Sequence, residues 1–407
     1  MLQFVLLAAM VRAAAPAPSA APVAQASPDA QASPEAQASP NAQASAGPNT
    51  GAAPKPTPNA GLLGDFGHGE RSNLAAHGLT LNGHFVTESA ANLSGGLPIG
   101  GNARERATAV SSEFGFGFDA DFNKIYAGSG AGILHFLLTT RFGSNLSSEA
   151  IGNLASVEEI YGDGQTTRIT FLDYEQPLAK KRLDLRFGKY NQQNDFIAGS
   201  TYWGGNLYCF YQNNNICGTP AGIPTNNGVT PGGSAGYNYY PSSMLGARIK
   251  VSPNDSVYVE AAALQVDPIV NTSHGGFYFG LYGSTGAELP LEIGLTLHNH
   301  DGERIGDVRF GGYYDTSNVF NYVQREESFA IPGNASNAAG LASLPIEYVR
   351  GRSGAYVQLD QLVQGSSDKG KRGTAVFAAA EYSDPNTALL TTYVDGGIVR
   401  HGTFTNR

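Results

Sequence analysis

The amino-acid sequence predicts an all-β protein, a transmembrane antiparallel β-barrel, from three observations. Charged residues make up only 14 % of the 407, against about 25 % in an ordinary soluble domain. Long stretches alternate apolar and polar residues with a period of two, as a strand does with one face in oil and one in water. The connections between these stretches alternate long and short, like the external loops and periplasmic turns of an outer-membrane barrel. The chain has no run of 18 or more apolar residues, which excludes a transmembrane helix. A membrane-spanning chain of this kind has to close its strands into a barrel. The formal net charge of −9 argues against binding to nucleic-acid phosphates.

The first 60 residues stand apart, since Phe4 is their only aromatic residue. The apolar run 4–11 followed by small residues reads as a secretory signal, expected over about 1–24, although Arg12 follows the run where a basic residue should precede it. Ala13-Ala14-Ala15 and Ala24-Gln25-Ala26 are both small-residue sites for cleavage. A six-residue repeat comes next: Gln25-Ala26-Ser27-Pro28-Asp29-Ala30 recurs from Gln31 and from Gln37 and decays at Gln43. Proline blocks helix and nothing large is available to bury, so 25–60 is expected to be an extended, disordered spacer. Its reach is on the order of 100 Å if fully extended. Residues 61–407 are the barrel.

Twelve strands are predicted, at 79–91, 109–122, 132–142, 166–176, 183–190, 244–252, 256–266, 287–298, 306–315, 353–363, 373–382 and 391–400. In the first, Leu79, Leu81 and Phe85 alternate with Thr80, Asn82 and His84. In the second, Phe114, Phe116 and Phe118 alternate with Glu113, Gly115 and Gly117. Leu289, Leu291, Ile293 and Leu295 alternate with Glu288, Glu292 and Thr296, and Val357 and Leu359 with Tyr356, Gln358 and Asp360. Strand 166–176 breaks parity, with Ile169 and Phe171 on one face and Leu172 and Tyr174 on the other; a bulge would repair it. The long connections are 92–108, 143–165, 191–243, 267–286 and 316–352. The last one, 383–390, is short where a long one is expected. Twelve strands leave both ends periplasmic, yet the chain finishes at Thr403-Phe404-Thr405-Asn406-Arg407 without apolar alternation. The expectation is that C-terminal strands are missing rather than that the barrel closes with twelve.

Several blocks then resemble one family. Gly64-Asp65-Phe66-Gly67 with Arg71 and 74–79 is similar to the N-terminal motif of the OprB-type carbohydrate-selective porins. Residues 151–154 with 157–162, the loop from Cys209 to Gly218, residues 311–317 and residues 351–356 resemble four further blocks, in order. The resemblance implies an outer-membrane barrel of about 16 strands for sugar diffusion. The Pro/Ala/Gln repeat and the absent last strands depart from the family pattern.

Parity places Arg141, Arg248 and Arg309 on the wet face with Glu260, Glu292, Asp315, Tyr356 and Asp360. Both signs occur, whereas ion-selective pores use rings of one sign. A wall of guanidinium forks and carboxylates offers donors and acceptors to a neutral polyhydroxylated solute, although a wet face tolerates charge without any such role. Tyr202, Trp203, Tyr208 and Tyr211 lie in an Asn-rich loop where rings and amides suit a sugar, or pack a compact loop. Cys209 and Cys217 are the two cysteines and fit one disulfide formed in the periplasm, the alternative being reduced or metal-binding thiols.

No catalytic residues, metal site or cofactor are expected. Gly232-Gly233-Ser234-Ala235-Gly236 matches a nucleophile elbow in letters but lacks the strand before and the helix after. His298 and His300, even with Asp301 or Asp307, read as a turn or lumen pair. The expected partners are carbohydrate solutes, outer-membrane lipid and further copies of the chain. A general-diffusion porin, a barrel-borne hydrolase and a barrel linked to the cell wall through the spacer are the competing readings.

Overall fold

The computed structural model describes residues 66–401 except 96–97, 100–101, 104–106, 152–156, 162–165, 193–194, 197–241, 273, 322–347, 366–372 and 388–390. A helix α1 (Phe66–Ala76) leads into strand β1 (Leu79–Asn92). The first long connection carries a small hairpin, β2 (Pro98–Ile99) and β3 (Asn102–Ala103). Strand β4 (Ala107–Asp121) ends in a helical turn α2 (Phe122–Ile125), and β5 (Ile133–Gly143), β6 (Thr166–Leu178) and β7 (Leu183–Tyr190) follow. The rest are β8 (Met244–Asn254), β9 (Val257–Val266), β10 (Gly286–His298), β11 (Arg304–Phe320), β12 (Tyr348–Gly365), β13 (Gly373–Ser383) and β14 (Thr392–His401).

All twelve predicted strands form one antiparallel sheet in sequence order, β1-β4-β5-β6-β7-β8-β9-β10-β11-β12-β13-β14. Among the described residues β1 and β14 are its two edges. Each strand pairs with its chain neighbours, so the backbone donors and acceptors of the inner strands are satisfied sideways, as hydrocarbon surroundings require. The helical turn α2 was not anticipated. Asp121 stops β4 there by capping it, its Oδ1 accepting a hydrogen bond from the Lys124 amide at 3.2 Å. The bulge in β6 falls at Thr170: Leu137 pairs with Phe171 but Leu138 with Ile169. Thr170 is buried with its hydroxyl 2.8 Å from that of Thr139. Strands β11 and β12 outrun their predicted ends because a register shift between Asp315 and Asn318 lets the ladder resume beyond it.

The polarity of the sheet is the reverse of a soluble protein's. Phe85, Phe114, Phe187, Ile293, Phe310 and Ile398 are exposed on the outer face. Glu113, Arg141, Arg186, Arg248, Glu292 and Arg309 alternate with them on the inner face and are at most 8 % exposed. Water would penalise such an apolar outer band; a bilayer rewards it.

Long connections fold onto this sheet. Leu146 and Ala150 pack on Ala109, and Glu158 accepts from the Leu146 amide at 2.8 Å. Burial raises the Glu158 carboxyl above its usual range. In the connection between β9 and β10, Val270 packs with Tyr190, Met244 and Leu264. Arg168 donates to the Val270 and Thr272 carbonyls at 3.0 and 3.2 Å. The Lys189 ammonium donates to the carbonyls of Gly275, Gly276 and Tyr278 at 3.3, 3.4 and 2.9 Å and sits 5.0 Å from the Phe279 ring centre.

The outer band generates a stability test. Ile293, 43 % exposed on the outer face, carries the apolar alternation of β10, and Ile293→Arg is expected to cost about 2–4 kcal/mol near the bilayer midplane. Asp301→Arg, in the exposed turn between β10 and β11, is expected to stay within about 0.5 kcal/mol. Denaturant titration in lipid vesicles reads both; equal losses would mean that β10 does not present Ile293 to lipid.

Candidate functional site

The inner wall is built from charge pairs that bridge neighbouring strands. On β4 and β5, Glu113 receives the Arg141 Nε at 2.5 Å and lies 2.6 Å from the His84 Nε2 of β1. The cross-strand register that sets Glu113 opposite Arg141 brings them together. Further along the sheet, Arg186 of β7 grips Asp173 of β6 with two nitrogens, at 2.7 and 3.2 Å, and stacks on Tyr190 with its guanidinium carbon 4.4 Å from the ring centre. Arg248, register partner of Arg186, donates to Asp184 at 2.6 Å and lies 3.6 Å from Glu260. Lys250 also reaches Glu260, at 3.3 Å.

These two arginines share a third acceptor from outside the sheet. The segment that follows β7 turns inward, and Asp195 accepts from Arg248 Nη1 at 2.8 Å and from Arg186 Nη1 at 3.2 Å. The next residue, Phe196, is fully buried against Tyr313 of β11 and Tyr356 of β12. Gln192 donates to Glu288 of β10 at 3.1 Å. A segment anchored at β7 and β8 therefore also touches β10, β11 and β12. The sheet is rolled around it, and Asn191, Gln192, Asp195 and Phe196 belong to an arm that reaches into the interior.

On the far side, Tyr258 donates to Glu292 Oε1 at 2.5 Å and Tyr356 donates to its Oε2. Arg304 donates to both oxygens of Asp307 at 2.6 Å, and Arg309 lies 3.8 Å from that carboxylate. Arg352 lies 3.4 Å from Asp315. Asp360 stands opposite Asp307 in the register. All eight wall residues read from parity thus occupy the inner face, each at most 5 % exposed. They divide among separate pairs rather than one ring. Tyr202, Trp203, Tyr208, Tyr211, Cys209 and Cys217 lie outside the described residues. His298 Nδ1 is 3.4 Å from the Ser256 hydroxyl, and His300 stands in solvent beside Asp301. Among the described residues no group of three metal-ligating side chains occurs.

The sequence reading missed Asp195 and Phe196. They sit in an Asn/Gln-rich stretch with no alternation, and the only cue was an acid and a large apolar residue side by side just past a strand. It also missed Asp173, Asp184 and Arg186, whose strands it placed but whose partners are set by the register of β6, β7 and β8.

A rolled antiparallel sheet with an apolar outer band and a paired, charged interior defines an outer-membrane porin. Residues 105–407 match the family described as carbohydrate-selective porin, OprB family. The chain belongs to that family and is a protein of the bacterial outer membrane. It is 29 % identical over 355 residues to Porin B of Pseudomonas aeruginosa, covering 85 % of this chain and 70 % of that protein. It is 26 % identical over 270 residues to the putative porin QuiX of Acinetobacter baylyi, covering 63 % of this chain and 56 % of QuiX. The high-pH structure of Pseudomonas putida OprB shares the fold, with a TM-score of 0.66 at 24 % identity, covering 84 % of this chain and 75 % of that one.

The arm yields a second test. Asp195→Asn keeps the side-chain shape and removes the charge shared by Arg186 and Arg248. Removing one partner from a buried ionic group typically costs about 3–5 kcal/mol. A lower melting midpoint in detergent is expected, with wider current fluctuations in single channels. An unchanged midpoint together with unchanged current noise would mean that this carboxylate does not hold the arm.

Proposed function

We propose that small neutral carbohydrates of monosaccharide size pass unaltered and without energy input along the inner wall, with the arm that carries Asp195 and Phe196 setting the narrow section. The observation that carries this reading is Asp195, one arm carboxylate between two wall guanidiniums. A charged interior in which guanidiniums and carboxylates pair across neighbouring strands exerts less net pull on either ion sign than a ring of one sign, while its hydroxyl, amide and carboxylate groups still exchange hydrogen bonds with a polyol. Contacts of this sort are weak and serial, which a conducting path needs if solutes are to leave as well as enter. Phe196 with Tyr313 and Tyr356 adds apolar surface next to those polar groups, suited to the two-sided character of a sugar ring. No covalent step belongs to this reading, and the protein acts as a channel rather than an enzyme. The outer band contacts lipid and, in a homo-oligomer, neighbouring copies.

Single-channel recordings with graded glucose test the reading. Sugar in the narrow section is expected to reduce ion current in a saturable way, and vesicles carrying the protein are expected to swell faster in glucose or xylose than in an amino acid of similar size. If swelling follows solute size alone and glucose does not lower the current, the channel is a general-diffusion pore.

A further inference from the structure

Two inner-face tyrosines lie on cross-strand glycines and meet at one carboxylate. Tyr258 of β9 is the register partner of Gly294 on β10, and Tyr356 of β12 is the partner of Gly311 on β11. A Cβ built on Gly294 would fall 2.0 Å from the Tyr258 ring, and one on Gly311 would fall 2.1 Å from the Tyr356 ring. Neither ring can lie as it does over any side chain. The Gly311 position matters doubly. Adjacent strands are about 4.8 Å apart, so Tyr356 has to cross the whole of β11 to reach Glu292 on β10, and a residue with no side chain leaves the path open. Both rings are held from above as well: Phe196 of the arm packs on Tyr356, and the Lys250 ammonium sits 3.8 Å from the centre of Tyr258. The two phenols therefore donate to the two oxygens of Glu292, one each. Glu292 is 0 % exposed although its strand parity points it inward. Other charged groups on this part of the wall are Glu260, the register partner of Glu292, which Lys250 and Arg248 approach at 3.3 and 3.6 Å, and Arg309, Asp307 and Asp360.

We propose that Tyr258 and Tyr356, seated on Gly294 and Gly311, are specificity-determining residues that cap Glu292 and keep its charge out of the conducting path. Gly294 and Gly311 are the positioning residues of this device. With the caps in place, the wall presents phenol edges and ring faces where a carboxylate would otherwise attract cations. The proposal deepens the reading of the inner wall as the route for neutral solutes and rests on it. A bare carboxylate in the narrow section would turn a pore for neutral polyols toward cations, since a charged group lining a constriction biases permeation by sign.

Reversal potentials in a potassium chloride gradient test this, since they are insensitive to how much protein has inserted. Tyr356→Phe keeps the ring on Gly311 and removes one hydroxyl. It is expected to shift the reversal potential toward cation preference. Gly311→Ala displaces the ring, and is expected to produce the same shift with a smaller open-channel current. Glu292→Gln combined with Tyr356→Phe is expected to bring the reversal potential back to the parental value. Gly83→Ala, where the nearest atom to the new methyl is 3.5 Å away, serves as the control. Tyr258→Phe stands in if Gly311→Ala does not fold, as judged by heat-modifiable gel mobility. Parental reversal potentials in both phenylalanine variants overturn the proposal. An unmodified protein that conducts no ions would instead overturn the reading of the inner wall as a path.

Discussion

One carboxylate, that of Asp195, joins the parts of this molecule that the sheet by itself leaves apart. It lies between Arg186 and Arg248, which face each other across β7 and β8. The arm that carries it then reaches Tyr313 and Tyr356 through Phe196. Ladder hydrogen bonds link each strand only to its neighbours, so they fix curvature but not what fills the interior. Two guanidiniums converging in a space sheltered from water gain from a close acceptor beside Asp173 and Asp184, since Glu260 and Glu175 stand 3.6 and 3.8 Å from Arg248 and an uncompensated buried charge is costly. The arm brings that acceptor, and its path across the interior follows from it.

The interior is stabilised mainly by paired charges, in contrast to the apolar core of a soluble domain. The apolar groups that do cluster inside, such as Tyr190, Met244, Leu264 and Val270, mark where a long connection settles on the wall. Membrane residence explains the division. Lipid takes up the apolar faces of the strands, leaving the polar faces to organise the inside. Mutual neutralisation is then the economical solution for a path that carries uncharged solutes: Glu113 is answered by Arg141, Asp173 by Arg186 and Asp184 by Arg248 on the next strand, and Asp195 of the arm by two guanidiniums. Membership of the carbohydrate-selective porin family agrees with that chemistry.

The fold was legible because strand parity is a local property. Leu289, Leu291 and Ile293 against Glu288 and Glu292 declare both faces of β10 without reference to any neighbour, and the long and short connections declare the two ends. The site was legible only in part. Parity put Arg248, Glu260 and Glu292 on the inner face, but it cannot say whom a side chain meets. That depends on register, and register depends on features such as the extra residue at Thr170, which composition does not reveal. Asp195 and Phe196 were invisible for a different reason: they belong to no periodic element, and their position comes entirely from the wall they bind. Helix α1 and the turn α2 escaped notice because α1 lacks an acidic first turn or a basic last turn and α2 is a single turn.

The connection between β9 and β10 is fastened in an unusual way. Arg168 and Lys189 hold it through five main-chain carbonyls, those of Val270, Thr272, Gly275, Gly276 and Tyr278. The hydrogen bonds themselves read no side chain, so the demand falls on Gly275 and Gly276, where a Cβ would lie 1.9 and 2.4 Å from the Ile269 and Thr167 carbonyl oxygens, and on buried Val270, and not on the residues that face outward. Phe277, Leu281 and Tyr282 project from it as exposed groups. An outer-membrane protein meets phages, antibodies and competing microbes with its external loops, and lineages under that pressure change loop sequences quickly. A strap tied down by its backbone can alter the face it shows to the outside while the cations beneath, and the wall to which they belong, stay as they are.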